Sequence, residues 1–183
     1  MNAQILPLAP AGTRPQRQTL HGRSADRVLL LLGTGEPAAA GPHPGSLLSQ
    51  PALLRLFFKL AQLWQLSGQE QCVLLGGTSQ HTLEVWHSGL WRKVPVDVQD
   101  RIEHLLCIHC TLLDVLGLGA AGEAGPARWL RDANAAEPFG GQAPLQRLLA
   151  GRMRDLLAVH HYLDAARHRT RGDLDRAAAM GEE

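Results

Sequence analysis

The sequence lacks a long hydrophobic run and a strong charge of either sign. Its longest unbroken aliphatic run is Val28–Leu32, whereas a membrane-spanning helix needs roughly 20 apolar residues. The first basic residue is Arg14, so the start of the chain does not have the charged segment of a secretory signal. The formal net charge of +1 excludes a chain that coats nucleic acid by charge alone. A cytoplasmic protein without a membrane partner is expected.

Cysteine is scarce, and the three thiols do not predict a disulfide framework or a metal site. They are Cys72, Cys107 and Cys110, an odd number in a chain with no secretion signal. Cys107 and Cys110 lie near His104 and His109, but zinc needs four ligands that converge tetrahedrally. Ligands spaced by three residues spread around the surface of a helix, so a helix with small thiols is favoured. No metal and no cofactor are expected.

Motifs typical of enzymes are also missing. No paired carboxylates, nucleophile elbow or phosphate loop is present. Val28–Leu32 followed by Gly33 and Gly35 resembles a strand that enters a dinucleotide loop. However, the third glycine of that motif would fall at Ala38, and Pro37 would disturb the start of the following helix. The sequence therefore favours a binding protein over an enzyme.

The chain divides by composition and hydrophobic pattern into four segments. Residues 1–46 are rich in Pro, Gly, Ala and Arg and poor in large apolar residues, so this N-terminal tail is expected to be mostly disordered. Helical periodicity begins after Ser46. It predicts an all-α protein with a helix-turn-helix unit over residues 47–96, a second helical unit over residues 97–169 and a polar tail over residues 170–183.

The helix-turn-helix prediction depends on helix caps and glycines. Ser67 and Glu70 have the spacing of a capping box, which starts a short helix that ends at Gly76-Gly77. Thr78 is the predicted N-cap of a second helix, Ser79–Trp86. Two short helices joined by a glycine turn within about 20 residues have the size of a DNA-binding helix-turn-helix.

In such a unit the N-terminal end of the second helix enters the major groove. The predicted DNA-binding residues are those at this end, Thr78, Ser79, Gln80, His81 and Thr82, with Arg92 and Lys93 just beyond as contacts to the backbone. Residues 47–96 carry four basic and two acidic side chains. Because this charge is small, the unit is expected to bind DNA as a homodimer, which doubles its contacts.

A longer helix is predicted next, over residues 97–116. Its apolar stripe is Val98, Ile102, Leu105, Leu106, His109, Leu112, Leu113 and Leu116, and its polar face is Asp97, Asp100, Glu103, Cys107, Thr111 and Asp114. His109 is predicted to be a packed, hydrogen-bonded histidine. Further helices are predicted from Pro126, from Pro144 and from Met153 onward.

An ordered set of motifs in the second half resembles the toxin-binding domain of Xre/MbcA/ParS-type antitoxins. The set comprises Trp129-Leu130-Arg131, Asn134, Phe139-Gly140-Gly141, Pro144-Leu145, Leu149, Gly151, Asp155-Leu156, Val159 and Tyr162-Leu163-Asp164-Ala165. The glycine turn and the residues around it, from Leu74 to Trp86, resemble the helix-turn-helix of the same family. The resemblance covers about residues 50–168.

The resemblance implies a type II toxin–antitoxin pair. The toxin would be a RES-domain enzyme that consumes NAD⁺, and the antitoxin would cover its NAD pocket and, with it, repress the shared operon. The implied toxin-binding residues lie between Gly151 and Arg171 and are Arg152, Arg154, His160, Tyr162, Asp164, Arg167, Arg169 and Arg171. A stand-alone helix-turn-helix transcription regulator with a dimerising helical domain is the alternative.

Overall fold

A computed structural model describes residues 48–90, 93–117 and 124–180, with the side chains described as far as residue 169. Over these residues the chain is helical and contains no strand, as predicted. The helices are α1 (Gln50–Leu63), α2 (Gly68–Leu74), α3 (Gln80–His87), α4 (Val96–Val115), α5 (Ala124–Arg131), α6 (Pro144–Leu148) and α7 (Met153–Met180). The predictions for residues 1–46, Val28–Leu32 and Arg92 fall outside the described residues.

Helix α1 begins after Ser49 and has a proline in its first turn, where the missing N–H costs no hydrogen bond. Leu53, Phe57 and Leu60 lie on its buried face at helical spacing. The last turn is closed by Arg131 of α5. Its guanidinium donates to the carbonyl oxygens of Trp64 at 2.7 Å and Gln65 at 2.8 Å. These are carbonyls at the C-terminal end of a helix, where no intrahelical donor is available.

Helix α4 lies at the centre of the fold, in contact with α1, α5 and α7. The predicted apolar stripe is confirmed, because Val98, Leu105 and Leu112 are all buried. The predicted polar face is wrong in part, since Glu103 and Thr111 are buried as well. Neighbours on several sides cover this helix, whereas the sequence pattern indicated a single buried stripe.

Helix α7 packs along α4 and runs in the same direction. His104 of α4 meets His160 of α7, and one turn further on Cys107 lies close to Asp164. Among the residues of α7, Leu156, Val159 and Leu163 are fully buried. They belong to one hydrophobic core that also takes in α1, α2 and α3.

Several helix boundaries differ from the predicted ones by a few residues. The N-cap of α3 is Ser79 and not Thr78, because Ser79 Oγ accepts from the Thr82 N–H at 3.1 Å. Helix α5 begins at Ala124, two residues before Pro126. The segment predicted as a polar tail continues α7 to Met180. No helix in the described ranges is long and apolar enough to cross a bilayer.

Candidate functional site

The first candidate surface is formed by α2, α3 and the turn that joins them. The predicted capping box at the start of α2 is confirmed, since Ser67 Oγ accepts from the Glu70 N–H and the Glu70 carboxylate accepts from the Ser67 N–H at 2.7 Å. The turn contains Gly76 and Gly77 at φ of 85° and 86°, a backbone conformation that favours glycine. Helix, glycine turn and helix therefore occur in the predicted order.

The residues predicted to read DNA cluster at the start of α3, and several of them already have partners. Ser79 and Thr82 share a hydroxyl–hydroxyl hydrogen bond of 2.8 Å. Thr78 donates to the Leu75 carbonyl at 3.2 Å and so closes the turn. Ser79, Gln80 and His81 are exposed. Lys93 is exposed too, just before α4.

Gln80 holds α3 against α2. Its amide oxygen accepts from the Cys72 thiol at 3.6 Å, and its amide nitrogen donates to Glu84 at 3.4 Å. The same side chain lies against the backbone of Gly68, where an added Cβ would be 3.1 Å from the amide oxygen. Gln80 must give up these contacts before it can pair with a base, whereas His81 is exposed on the same turn of α3.

The second candidate surface follows α7. Arg152 and Arg154 are exposed at its N-terminal end, and Arg169 is exposed fifteen residues after Arg154. At 1.5 Å per residue, Arg154 and Arg169 are about 22 Å apart along the helix axis. Arg171 belongs to the same helix, but its side chain is outside the described ones. The predicted arginines thus form two groups, one at the start of α7 and one near its middle, and do not form a single patch.

Asp164 and Arg167, close to the second group, interact with each other. The guanidinium of Arg167 donates to the Asp164 carboxylate at 2.8 Å, and both side chains are partly exposed. A partly exposed pair of this kind contributes about 0–1 kcal/mol to stability. Both groups can therefore exchange this contact for one with a partner at small cost.

His160 is buried in the contact between α4 and α7. Its ring centroid is 5.6 Å from that of His104, and its Nε2 lies 3.8 Å from Asp164. Burial lowers the pKa of both histidines below the usual value, and their mutual repulsion lowers the pKa of His104 further. A direct contact between the His160 imidazole and a partner would require α7 to move away from α4.

Tyr162 belongs to an aromatic cluster with Trp129 and Phe139. The Tyr162 ring lies 4.9 Å from the Phe139 ring, nearly perpendicular to it, and 6.4 Å from the Trp129 ring, nearly parallel to it. Phe139 is buried, while Trp129 and Tyr162 are half-buried. Three segments distant in sequence therefore present a partly exposed aromatic surface, of the kind enriched at the centres of protein interfaces.

One ion pair beside α7 was not predicted from the sequence. Arg147 of α6 lies 3.0 Å from the Asp155 carboxylate, and the Asp155 side chain is 5% exposed. Asp155 occurs in the motif that carries the family resemblance, but its partner is eight residues away on another helix. No sequence periodicity connects the two residues.

The cysteines do not form a metal centre in the described part of the chain, where no three His, Cys, Asp or Glu residues are grouped to hold an ion. Burial raises the pKa of the Cys107 thiol to about 12, and the nearby Cys110 adds to the effect. Cys107 is therefore protonated at neutral pH. A protonated thiol is a poor nucleophile and a poor metal ligand.

Comparisons with known proteins give one matching family and one relative. Residues 119–169, which include α5, α6 and the first half of α7, match the antitoxin Xre/MbcA/ParS C-terminal toxin-binding domain. The uncharacterized protein y4oB of Sinorhizobium fredii is 33% identical over 117 residues, which are 64% of this chain and 85% of that protein. The second half of the chain thus contains a domain similar to the toxin-binding domain of Xre/MbcA/ParS antitoxins.

Proposed function

We propose that this chain neutralises a RES-domain toxin that consumes NAD⁺ by covering the toxin's active site, and that the complex represses its own operon. The observation that carries the proposal is the match of residues 119–169 to the toxin-binding domain of the antitoxin family. The identity of the toxin rests on the sequence resemblance of the ordered motif set. The chain itself then acts through binding, and the enzyme is its partner.

The toxin-binding surface in this proposal is the exposed side of α7 together with the aromatic cluster. Tyr162 is the anchor, because a half-buried ring that is held by two other rings loses little side-chain freedom on binding. The charged residues Asp164, Arg167 and Arg169 lie within two turns of Tyr162 on the same helix. Arg152 and Arg154 lie about two to three turns before it.

The proposal is tested by co-expressing the full-length chain with the neighbouring RES gene and measuring growth and cellular NAD⁺. The unaltered chain should restore both. Deleting α7 is an unsuitable variant, because Leu156, Val159 and Leu163 would be lost from the core. Point variants of exposed residues avoid this problem.

Two charge reversals distinguish the start of α7 from its middle. Arg169→Glu and the double variant Arg152→Glu/Arg154→Glu change exposed side chains that are far apart on the helix. Lys59→Glu on α1 is the control, since Lys59 is exposed and outside the matched domain. We expect at least one of the α7 variants to lose neutralisation while the control retains it. Failure of the unaltered chain to protect cells would refute the toxin assignment.

DNA binding by the α2–α3 unit is the second part of the proposal, and the order of helix, glycine turn and capped helix supports it. His81→Ala should weaken binding to the fragment upstream of the gene by about 1–3 kcal/mol if His81 reads a base. A gel shift or fluorescence anisotropy measures this effect. Gln80→Ala and Thr82→Ala should do the same, but both also remove contacts within the unit. Their folding must therefore be checked by thermal melting.

A homodimer is proposed because a single unit of this small charge makes few contacts to DNA. Sedimentation of the full-length chain tests this point. The alternative function, a stand-alone transcription regulator, is favoured by the same α2–α3 unit. It predicts tight DNA binding without a toxin and no RES gene beside this one, so the neighbouring gene separates the two functions.

A further inference from the structure

The proposed DNA-binding unit carries negative charge and no Lys or Arg, which is unusual for a surface that binds DNA. From Gly68 to His87, α2, α3 and their turn contain the carboxylates Glu70 and Glu84 and no Lys or Arg. Affinity for duplex DNA comes largely from cations that neutralise phosphates. If the unit binds DNA, at least part of its positive charge must come from another element.

Arg101 supplies a cation at the turn of this unit. It belongs to the second turn of α4, and its side chain reaches across to the turn between α2 and α3. Its Nη1 donates to the Leu74 carbonyl oxygen at a long 3.5 Å. Its Nε lies only 2.8 Å from the position that a Cβ would take on Gly76. Gly76, at φ of 85°, leaves the space into which this guanidinium fits.

These contacts place the guanidinium of Arg101 beside the turn, and its hydrogen bond to Leu74 uses only one of its N–H donors. The residue is half-buried, and a guanidinium has five N–H donors in a fixed planar fork. The fork of a guanidinium also matches the spacing of two phosphate oxygens, which a single ammonium group does not. A side chain that is already positioned loses little entropy when it binds a phosphate.

We propose that Arg101 binds a phosphodiester group of duplex DNA, and that α4 thereby provides the α2–α3 unit with a backbone contact that its own sequence lacks. The inference rests on the proposed DNA-binding function. A contact of this kind sets the position of the unit on the duplex and does not depend on base sequence. Arg101 is thus a further binding residue beside those at the start of α3.

The test measures binding of the full-length chain to two 30-base-pair duplexes, one from upstream of its gene and one of mixed sequence, by fluorescence anisotropy between 50 and 200 mM KCl. Arg101→Met keeps part of the aliphatic stem and removes the charge. The slope of log affinity against log salt should become shallower by about 1 for both duplexes. At 0.1 M salt the affinity should fall roughly tenfold. Arg101→Lys should retain the slope.

Arg128→Met is the control, since it also removes one positive charge, from an exposed side chain on α5. It should leave the salt slope unchanged. If Arg101→Met binds more weakly but with the salt slope of the unaltered chain, Arg101 only braces the turn and the phosphate assignment is wrong.

A second measurement covers the case in which Arg101→Met does not fold. In the unaltered chain, the NMR signal of the Arg101 Nε–H should shift on titration with either duplex. No shift at saturation would overturn the assignment even though DNA binds. If the unaltered chain binds neither duplex at any salt concentration, the DNA-binding proposal fails, and the role of Arg101 fails with it.

Discussion

His109 makes the stability of this protein depend on pH in a way that the structure predicts. Its Nδ1 accepts a hydrogen bond of 3.2 Å from Trp64 Nε1 in the core between α1 and α4. The residue is 5% exposed. Burial lowers its pKa from 6.5 to about 4. Protonation of Nδ1 would remove the acceptor and place a charge in an apolar site.

The direction and size of the effect follow from linkage. Because the pKa is lower in the folded chain than in the unfolded chain, the stability from His109 is fully present above pH 6.5 and is lost as the pH falls toward 4. At about 1.4 kcal/mol per pKa unit, the loss is about 3 kcal/mol. That is a large part of the roughly 5–15 kcal/mol that stabilises a typical domain.

The matched variant is His109→Asn, whose amide oxygen can replace Nδ1 as acceptor but does not titrate. Urea unfolding at several pH values between 7.5 and 4, followed by tryptophan fluorescence, gives the free energy of unfolding of both proteins. The difference between them should change by about 3 kcal/mol over this range. His104 and His160 titrate in both proteins and so cancel. Parallel pH profiles for the two proteins would refute the explanation.

Three further predictions concern single contacts, each measured by urea unfolding of the full-length chain. Arg131→Met should cost about 1–3 kcal/mol, because two carbonyls at the end of α1 lose a charged donor; Arg131→Lys should recover only part, and full stability of Arg131→Met would contradict the cap. Leu156→Ala should cost about 2–5 kcal/mol, because it leaves a cavity between α4 and α7; a smaller cost would mean that the site collapses. Gly76→Ala should cost at least about 1 kcal/mol, because φ is 85° and Arg101 blocks the Cβ; Gly77→Ala, where nothing lies within 4 Å, separates the strain from the clash.

Local sequence signals predicted the elements of the candidate surfaces well. The capping box at Ser67 and the glycine turn at Gly76 are short-range patterns, and both are found in the structure. The N-cap of α3 was misplaced by one residue because Thr78 and Ser79 can both cap a helix, and sequence alone does not rank adjacent hydroxyls. Predicted roles in DNA and toxin binding remain proposals.

Contacts between residues far apart in the sequence could not be predicted from such local patterns. Burial of His160, a predicted toxin-binding residue, depends on the packing of α7 against α4. The reach of Arg101 to the turn at Gly76 depends on the position of α4 beside the end of α2. Helical periodicity in the sequence indicates neither contact, since each joins residues more than 20 positions apart.

Helix content, the capping box at Ser67 and the buried stripe of α4 were determined by the sequence alone, because they depend on neighbours within one or two turns of the same helix. Tertiary structure decided which polar side chains remain available to a partner. The helical periodicity of α4 predicted that Glu103 and Thr111 face solvent, yet both are buried in the folded chain. Burial is a property of the space that several helices enclose, and it is set only when they pack together.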